Sequence, residues 1–332
     1  MKRKIALLAA LTVMTVWLAA GCGKSSEANL TSVTLNEVAH SVFYAPQYTA
    51  IELGYFEEEG IDLEVVNGGG ADNVATALIA GEADIGFMGS ESSIYVYAEG
   101  QEDYFVNFAQ LTQRAGNFLV AREADEDFTW SDLVGAKVLG GRKGGMPEMV
   151  FEYILKKNGI DPETDLTIDQ SISFGLTAAA FPGSDADYTV EFEPYATSLE
   201  QEGEGVVVAS LGVDSGYVPY TAYCTTRSYL EENAETVQAF TNAIQMGLDY
   251  VNGHTAAEVA EVIAPQFEET DIDSLTTIIE RYSEQDTWKE DTVFAEESFL
   301  LLEDILREAG ELESQVPYED LVTTEYAERA AE

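Results

Sequence analysis

From residue 33 to residue 210 the chain repeats one short phrase: an extended apolar run, a glycine-bearing joint, then a stretch with apolar residues at helical spacing. Residues 33–38 alternate as a strand does, 45–58 carry helical spacing and stop at Gly60, and 61–66 alternate cleanly again. Gly68-Gly69-Gly70 turns the chain, Asp72 or Asn73 is placed to cap a helix running through Ala80, and Gly81 ends it. A buried strand at 84–88, a helix at 92–99 and strands at 105–111 and 117–121 complete a first unit. A second unit follows, with a short helix at 130–134 and strands at 137–140, 166–171, 188–192 and 206–210. Helices at 146–158, 176–181 and 194–202 lie between them. Strands separated by helices and joined this tightly predict an α/β fold with largely parallel sheets. A strand-like stretch at 220–225 leads into a helical remainder: 231–251, 256–263, 273–282, 296–309 and 318–330.

Charge narrows the function. Sixty-one acidic residues stand against 16 basic ones, a net −45. Phosphate backbones are bound by clustered Lys and Arg, so a nucleic-acid partner is excluded, as is adhesion of the folded body to an anionic membrane. The length suggests about two domains. Acidic runs at 123–127, 200–204 and 268–273 read as solvated faces, and no stretch has the oxygen spacing of a calcium loop. Two histidines and two cysteines leave no multi-histidine metal site and no disulfide framework. Catalytic patterns are missing as well. There is no Gly-x-Ser-x-Gly, Gly23-Lys24-Ser25 lacks the first glycine of a P-loop, and Gly68-Gly69-Gly70 reaches Asn73 where a dinucleotide loop needs its third glycine. No catalytic residue, cofactor or metal is expected.

The N-terminus reads as a targeting segment over residues 1–21. Lys2, Arg3 and Lys4 precede an uncharged apolar run from Ile5 to Ala20, too short for a spanning helix and ending in small residues. Leu18-Ala19-Ala20-Gly21-Cys22 resembles the lipobox of bacterial lipoproteins, with its leucine four rather than three residues before the cysteine. The resemblance implies an acylated Cys22; an ordinary cleaved signal or an uncleaved anchor are the alternatives. Processing would remove three basic residues and no acidic ones, leaving a chain more negative still. Residues 22–31 read as a tether, and Cys224, in an apolar strand-like stretch, as a small core residue.

Two segments carry a family resemblance. One is Val38-Ala39-His40-Ser41-Val42-Phe43-Tyr44-Ala45-Pro46 with Gly54-Tyr55-Phe56 and Gly60-Ile61-Asp62-Leu63. The other is Gly81-Glu82-Ala83-Asp84-Ile85-Gly86-Phe87. They resemble the substrate-binding proteins of bacterial ABC importers for taurine, sulfonate, nitrate and thiamine-precursor pyrimidines. Val218-Pro219-Tyr220-Thr221 looks like that superfamily's return crossover. The resemblance implies a two-lobed periplasmic-binding-protein fold of type II. Lobe 1 would be 32–120 plus 224–332 and lobe 2 would be 121–223, hinged to close on a small solute. It implies a monomer, lipid-anchored at the outer face of the cytoplasmic membrane, serving a permease and an ATPase. An enzyme resembling the pyrimidine synthase on the same scaffold, or a surface sensor without a transporter, are the rival classes; the synthase's cysteine cluster is absent here.

Ligands of open α/β sheets sit beyond the carboxyl ends of strands, where helix N-termini present free N–H groups. That rule selects His40, Ser41, Phe43 and Tyr44, then Gly70, then Ser90 and Glu91. In the second unit it selects Arg142, Gly144, Gly145 and Met146, then Glu191 and Phe192, with Tyr217 before the crossover. His40 could instead only hold its loop, and Arg142 could be solvated. Two adjacent aromatics in a loop, Phe43 and Tyr44, are expected to leave at least one ring facing the cleft. Rings and carboxylates together suit a flat nitrogen heterocycle or a cation, since rings stack and carboxylates accept from amino groups. Tyr44 and Glu191 would take opposite sides of that ligand. Residues 140–148 lack the hydroxyls of sulfonate and nitrate binders. They are more similar to the glycine-rich turn with Pro and Glu of the pyrimidine binders, with Gly144 near the place of that group's tryptophan and Tyr44 near that of its histidine. An oxyanion remains the alternative ligand.

Overall fold

The computed structural model describes residues 30–125, 127–141, 143–172 and 176–332. Residues 1–29, which hold the expected targeting segment and Cys22, and Arg142 lie outside the described residues. The first unit runs β1 (Thr31–Glu37), α1 (Ala45–Glu52), α2 (Tyr55–Glu58), β2 (Ile61–Asn67), α3 (Ala71–Ala80), β3 (Ile85–Gly89), α4 (Glu91–Ala98) and β4 (Phe105–Thr112). The second runs β5 (Asn117–Ala121), β6 (Lys137–Leu139), α5 (Met146–Lys157), β7 (Thr167–Asp169), α6 (Thr177–Ala180), β8 (Tyr188–Phe192), α7 (Tyr195–Glu202), β9 (Val206–Ser210) and α8 (Leu211–Ser215). The chain then returns through β10 (Thr221–Thr226) to α9 (Arg227–Glu232), α10 (Ala234–Gly253), α11 (Ala256–Ile263), α12 (Ile272–Glu284), α13 (Glu296–Glu308), α14 (Tyr318–Leu321) and α15 (Glu325–Ala330).

Two five-stranded sheets result, ordered β2-β1-β3-β10-β4 and β7-β6-β8-β5-β9. In each, only the fourth strand runs against its neighbours, β10 in one and β5 in the other. Those are the strands by which the chain enters one half from the other. The pairings put 117–121 in the second sheet and 221–226 in the first, a few residues from the boundaries expected at 120/121 and 223/224. The crossing segments lie side by side: Val218 N donates to the Gln113 carbonyl at 2.9 Å, and the Thr112 and Thr221 hydroxyls meet at 2.6 Å.

Local chemistry accounts for most element ends. The stretch expected as one helix at 45–58 breaks at Gly54, which takes φ 75°. Gly70, not Asp72 or Asn73, occupies the cap of α3, and its φ of 153° suits a residue without Cβ. Thr255 and Glu258 form a reciprocal capping box on α11. The 318–330 stretch divides because Val322 leaves the helix to bridge Asn107 of β4. β4 is buried along its whole length, and α10 packs its buried face, including Phe240, Ile244 and Leu248, into the core of this half. Cys224 is a buried core residue whose thiol burial pushes well up, away from thiolate reactivity.

Candidate functional site

The joint after β1 is built around a buried acid that sequence reading did not single out. Glu37 is 1% exposed and accepts from Gln47 Nε2 at 2.7 Å and the Tyr48 hydroxyl at 2.8 Å. His40 Nδ1 lies 2.9 Å from the same carboxylate, and Nε2 lies 2.9 Å from the Gln266 carbonyl. Both ring nitrogens thus face acceptors. The hydrogen bond to Glu37 raises the His40 pKa against the opposing effect of burial. His40, stacked on Phe267, is placed to hold the loop.

The next residues reach the other half. Ser41 Oγ donates to the Glu193 carbonyl at 3.0 Å and accepts from Phe43 N, which fixes the turn at 42–44. Phe43 and Tyr44 are 0% and 4% exposed, so neither ring is open to solvent. Phe43 packs instead against Phe192 (5.5 Å between ring centres), Tyr220 (5.6 Å) and Tyr282 (5.4 Å), which closes the space between the sheets. Gly116 permits this contact, because a Cβ there would lie 2.5 Å from Phe43 and 2.7 Å from Phe192. Tyr44 meets Phe87 edge-on.

Ser90 and Glu91 open α4 at the end of β3, and both are buried. Ser90 N donates to the Tyr220 carbonyl, and the Tyr220 hydroxyl donates to Asn117 Oδ1 at 2.9 Å. Ser90 Oγ and Asn117 Nδ2 are buried without a protein partner. The Glu91 charge acts on the hydroxyls of both Tyr44 and Tyr220, and with burial it helps hold those phenols protonated. Tyr44, Ser90, Glu91, Asn117, Phe192 and Tyr220 thus form one aromatic and polar seam between the two halves.

Other expected residues sit elsewhere. Gly145 caps α5, Met146 begins it and is buried, and the Gly144 carbonyl accepts from the Tyr95 hydroxyl at 3.1 Å, a second tie between the halves. Gly144 N donates to Glu148, whose pKa burial, with Glu152 beside it, pushes up to about 7. Glu191 does not face Tyr44 across the seam. Its oxygens accept from the Thr189 hydroxyl at 2.6 Å and the Thr177 hydroxyl at 3.1 Å, and burial pushes its pKa up to about 7 against both bonds. Side chains alternate along a strand, so Glu191 and Phe192 take opposite faces of β8, and Phe192 has the seam. Tyr217 is 53% exposed at the hinge, its hydroxyl on Asp286 at 2.6 Å and Arg114 above its ring. Gly70 serves the turn into α3.

Sequence reading missed Glu37, Asn117, Tyr220 and Arg281. Arg281 of α12 pairs with buried Glu193 and with Glu200, so a helix far along the chain is tied to the second half. Asn117 begins a recognised strand, but nothing local marks it as facing a seam. A groove of about 420 Å³ elsewhere, beside α3 and α9, is lined by Asp84 and Asp103, already bonded to Thr34 N and to Ser228. Among the described residues no cluster of His, Cys, Asp and Glu could hold a metal, and no helix is long and apolar enough to cross a membrane.

Comparison with known proteins places this arrangement. A Bacillus subtilis (strain 168) protein named "Putative binding protein YtlA" is 43% identical over 318 residues, covering 96% of this chain and 95% of that one. The nitrate-binding protein NrtA from Synechocystis PCC 6803 superposes with a TM-score of 0.75 at 15% identity, over 91% of this chain and 88% of its own. The alkanesulfonate-binding protein SsuA from Xanthomonas axonopodis pv. citri superposes with a TM-score of 0.70 at 15% identity, over 88% and 98%. These structures establish the periplasmic-binding-protein fold, as the two linked α/β halves lead one to expect. Residues 42–257 match the NMT1/THI5-like family, and the chain belongs to it.

Proposed function

We propose that the chain is the solute-binding protein of an ABC importer, which captures a small solute in the seam and hands it to a permease and its ATPase. It works as a monomer and as two lobes hinged at 113–116 and 216–220, without catalysing a reaction. A lipid on Cys22 holds it at the outer face of the cytoplasmic membrane. The binding-protein relatives support the role, and the paired crossing segments support the hinge. The favoured solute is an aromatic nitrogenous heterocycle such as a thiamine-precursor pyrimidine. One observation carries that choice: Glu91 is a buried carboxylate whose charge acts on the hydroxyls of Tyr44 and Tyr220. A carboxylate there can accept from an amino group.

A sulfonate or nitrate-type oxyanion is the second reading, favoured by the buried donors at Ser90 and Asn117. A thermal-shift screen separates the two, since a bound ligand raises the midpoint by mass action. Aminopyrimidines and organic amines should raise it, with alkanesulfonates and nitrate inert. The reverse pattern would transfer the function to the oxyanion.

A further inference from the structure

Ser90 and Asn117 share an unusual property. Ser90 is 1% exposed and Asn117 0%, yet the Ser90 hydroxyl and the Asn117 amide nitrogen bond to no protein group. A buried polar group without a partner destabilises a fold, so unpaired donors are rare in protein interiors. Here two stand at one seam, on different structural pieces. Ser90 opens α4 beyond the end of β3, and Asn117 opens β5 just past the first crossing segment. Tyr220, from the second crossing segment, joins them through its carbonyl and its hydroxyl. The hydroxyl bond also orients Asn117: Oδ1 takes the Tyr220 proton, which leaves Nδ2 as the free end. Glu91, next to Ser90 in the chain, is a buried carboxylate whose charge acts on the Tyr220 hydroxyl.

We propose that Ser90 Oγ and Asn117 Nδ2 are the donor pair that selects the solute, by reading acceptor atoms on its ring edge. This rests on the seam being the binding site. Two donors in a seam that also holds the Glu91 carboxylate match a ring whose nitrogens accept next to an exocyclic amine that donates, the edge of a 4-aminopyrimidine. A ligand without acceptor atoms leaves both donors buried and unpaired, and such a site rejects it strongly. Asn117 also lies beside the hinge, so its bond to the ligand is sensitive to how the two halves meet.

The test is calorimetric titration of the full chain, Ser90→Ala and Asn117→Asp with 4-amino-2-methylpyrimidine and with 3-methylaniline, the same outline without ring nitrogens. Asn117→Asp keeps the acceptor for Tyr220 and removes only the donor. The unchanged chain should prefer the pyrimidine by at least about tenfold, and each variant should lose most of that preference, on the scale of one hydrogen bond. Ser90→Ala should fold with an unchanged or higher Tm without ligand, because it deletes a group that bonds nothing in the protein. A preference retained in both variants overturns the donor pair and leaves the seam standing. A chain that binds methanesulfonate and not the pyrimidine overturns the amine reading. The same variants titrated with methanesulfonate then decide the donor pair: weaker binding upholds it, unchanged binding ends it. Binding of none of these probes ends both.

Discussion

In the first sheet β1 and β2 pair over 7 residues, and β4 is buried throughout; in the second, β6 and β7 are 3 residues each. The strand order is shared, but the means of support differ. The first half leans on apolar contact: aromatic rings stacked between β3 and β10, as in Phe87 on Tyr223, under the long buried face of α10. The second half, with shorter ladders, leans on polar ties. Arg122 donates to the carbonyls of Phe181, Ser184 and Ala186, Lys137 pairs with Asp169 and Asp185, and Glu191 takes two threonine hydroxyls. α12 bridges the two kinds of support. It packs on α11 and reaches the second half through Arg281, while Tyr282 donates its hydroxyl proton to the Gly116 carbonyl between them. The lighter half is thus the one held by interactions that pH and single substitutions can remove.

The largest effect is expected at that bridge. Arg281→Ala leaves Glu193 buried without its cation and should cost about 3 kcal/mol in urea unfolding. Arg281→Ala with Glu193→Gln should recover most of the loss. A cost below about 1 kcal/mol would mean that α12 is not what binds the second half.

Next comes Glu191. Its folded carboxyl keeps a proton up to about 7, against an ordinary value of 4.5, so the folded state binds more protons between those pH values. Its contribution to stability is therefore fullest below 4.5 and is lost as pH rises through 7. Glu191→Gln, which cannot ionise, should be the more stable protein at pH 8, by roughly 2–3 kcal/mol, and should converge with the unchanged chain near pH 4.5. Parallel stability curves from pH 4 to pH 8 would remove Glu191 as the source of that dependence.

A smaller effect is expected at the hinge. Gly116→Ala sets a methyl against Phe43 and Phe192 and should cost about 1–2 kcal/mol by overpacking. Because those rings belong to opposite halves, small-angle scattering should show a larger radius of gyration for the variant. An unchanged radius with lowered Tm would confine the strain to one half.

The fold was largely legible because local signals govern it. Alternation marked β1 and β2, and glycines at 60, 81 and 159 closed their elements in the left-handed region. Gly54 was misread because helical spacing continues through it. The site was legible only in part. The strand-end rule found Ser90, Glu91, Tyr44 and Phe192, which share the seam. It also chose Glu191, because sequence position does not reveal which face of a strand end meets the other half. Asn117, Tyr220 and Arg281 matter through partners 81 or more positions away: Asn117 bonds Tyr220 103 residues on, and Arg281 reaches Glu193 across 88 and Glu200 across 81. No periodicity carries that information.

The proposed role of the seam requires Glu91 to bind an amino-bearing ring. The affinity of Glu91→Gln for 4-amino-2-methylpyrimidine, measured against the unchanged chain at one pH and salt concentration, tests it most directly. Loss of a charged hydrogen bond of about 1.5–3 kcal/mol predicts binding ten- to a hundredfold weaker, with the fold intact by thermal melting. Unchanged or tighter binding, or affinity for methanesulfonate already present in the unchanged chain and raised by the substitution, would contradict it.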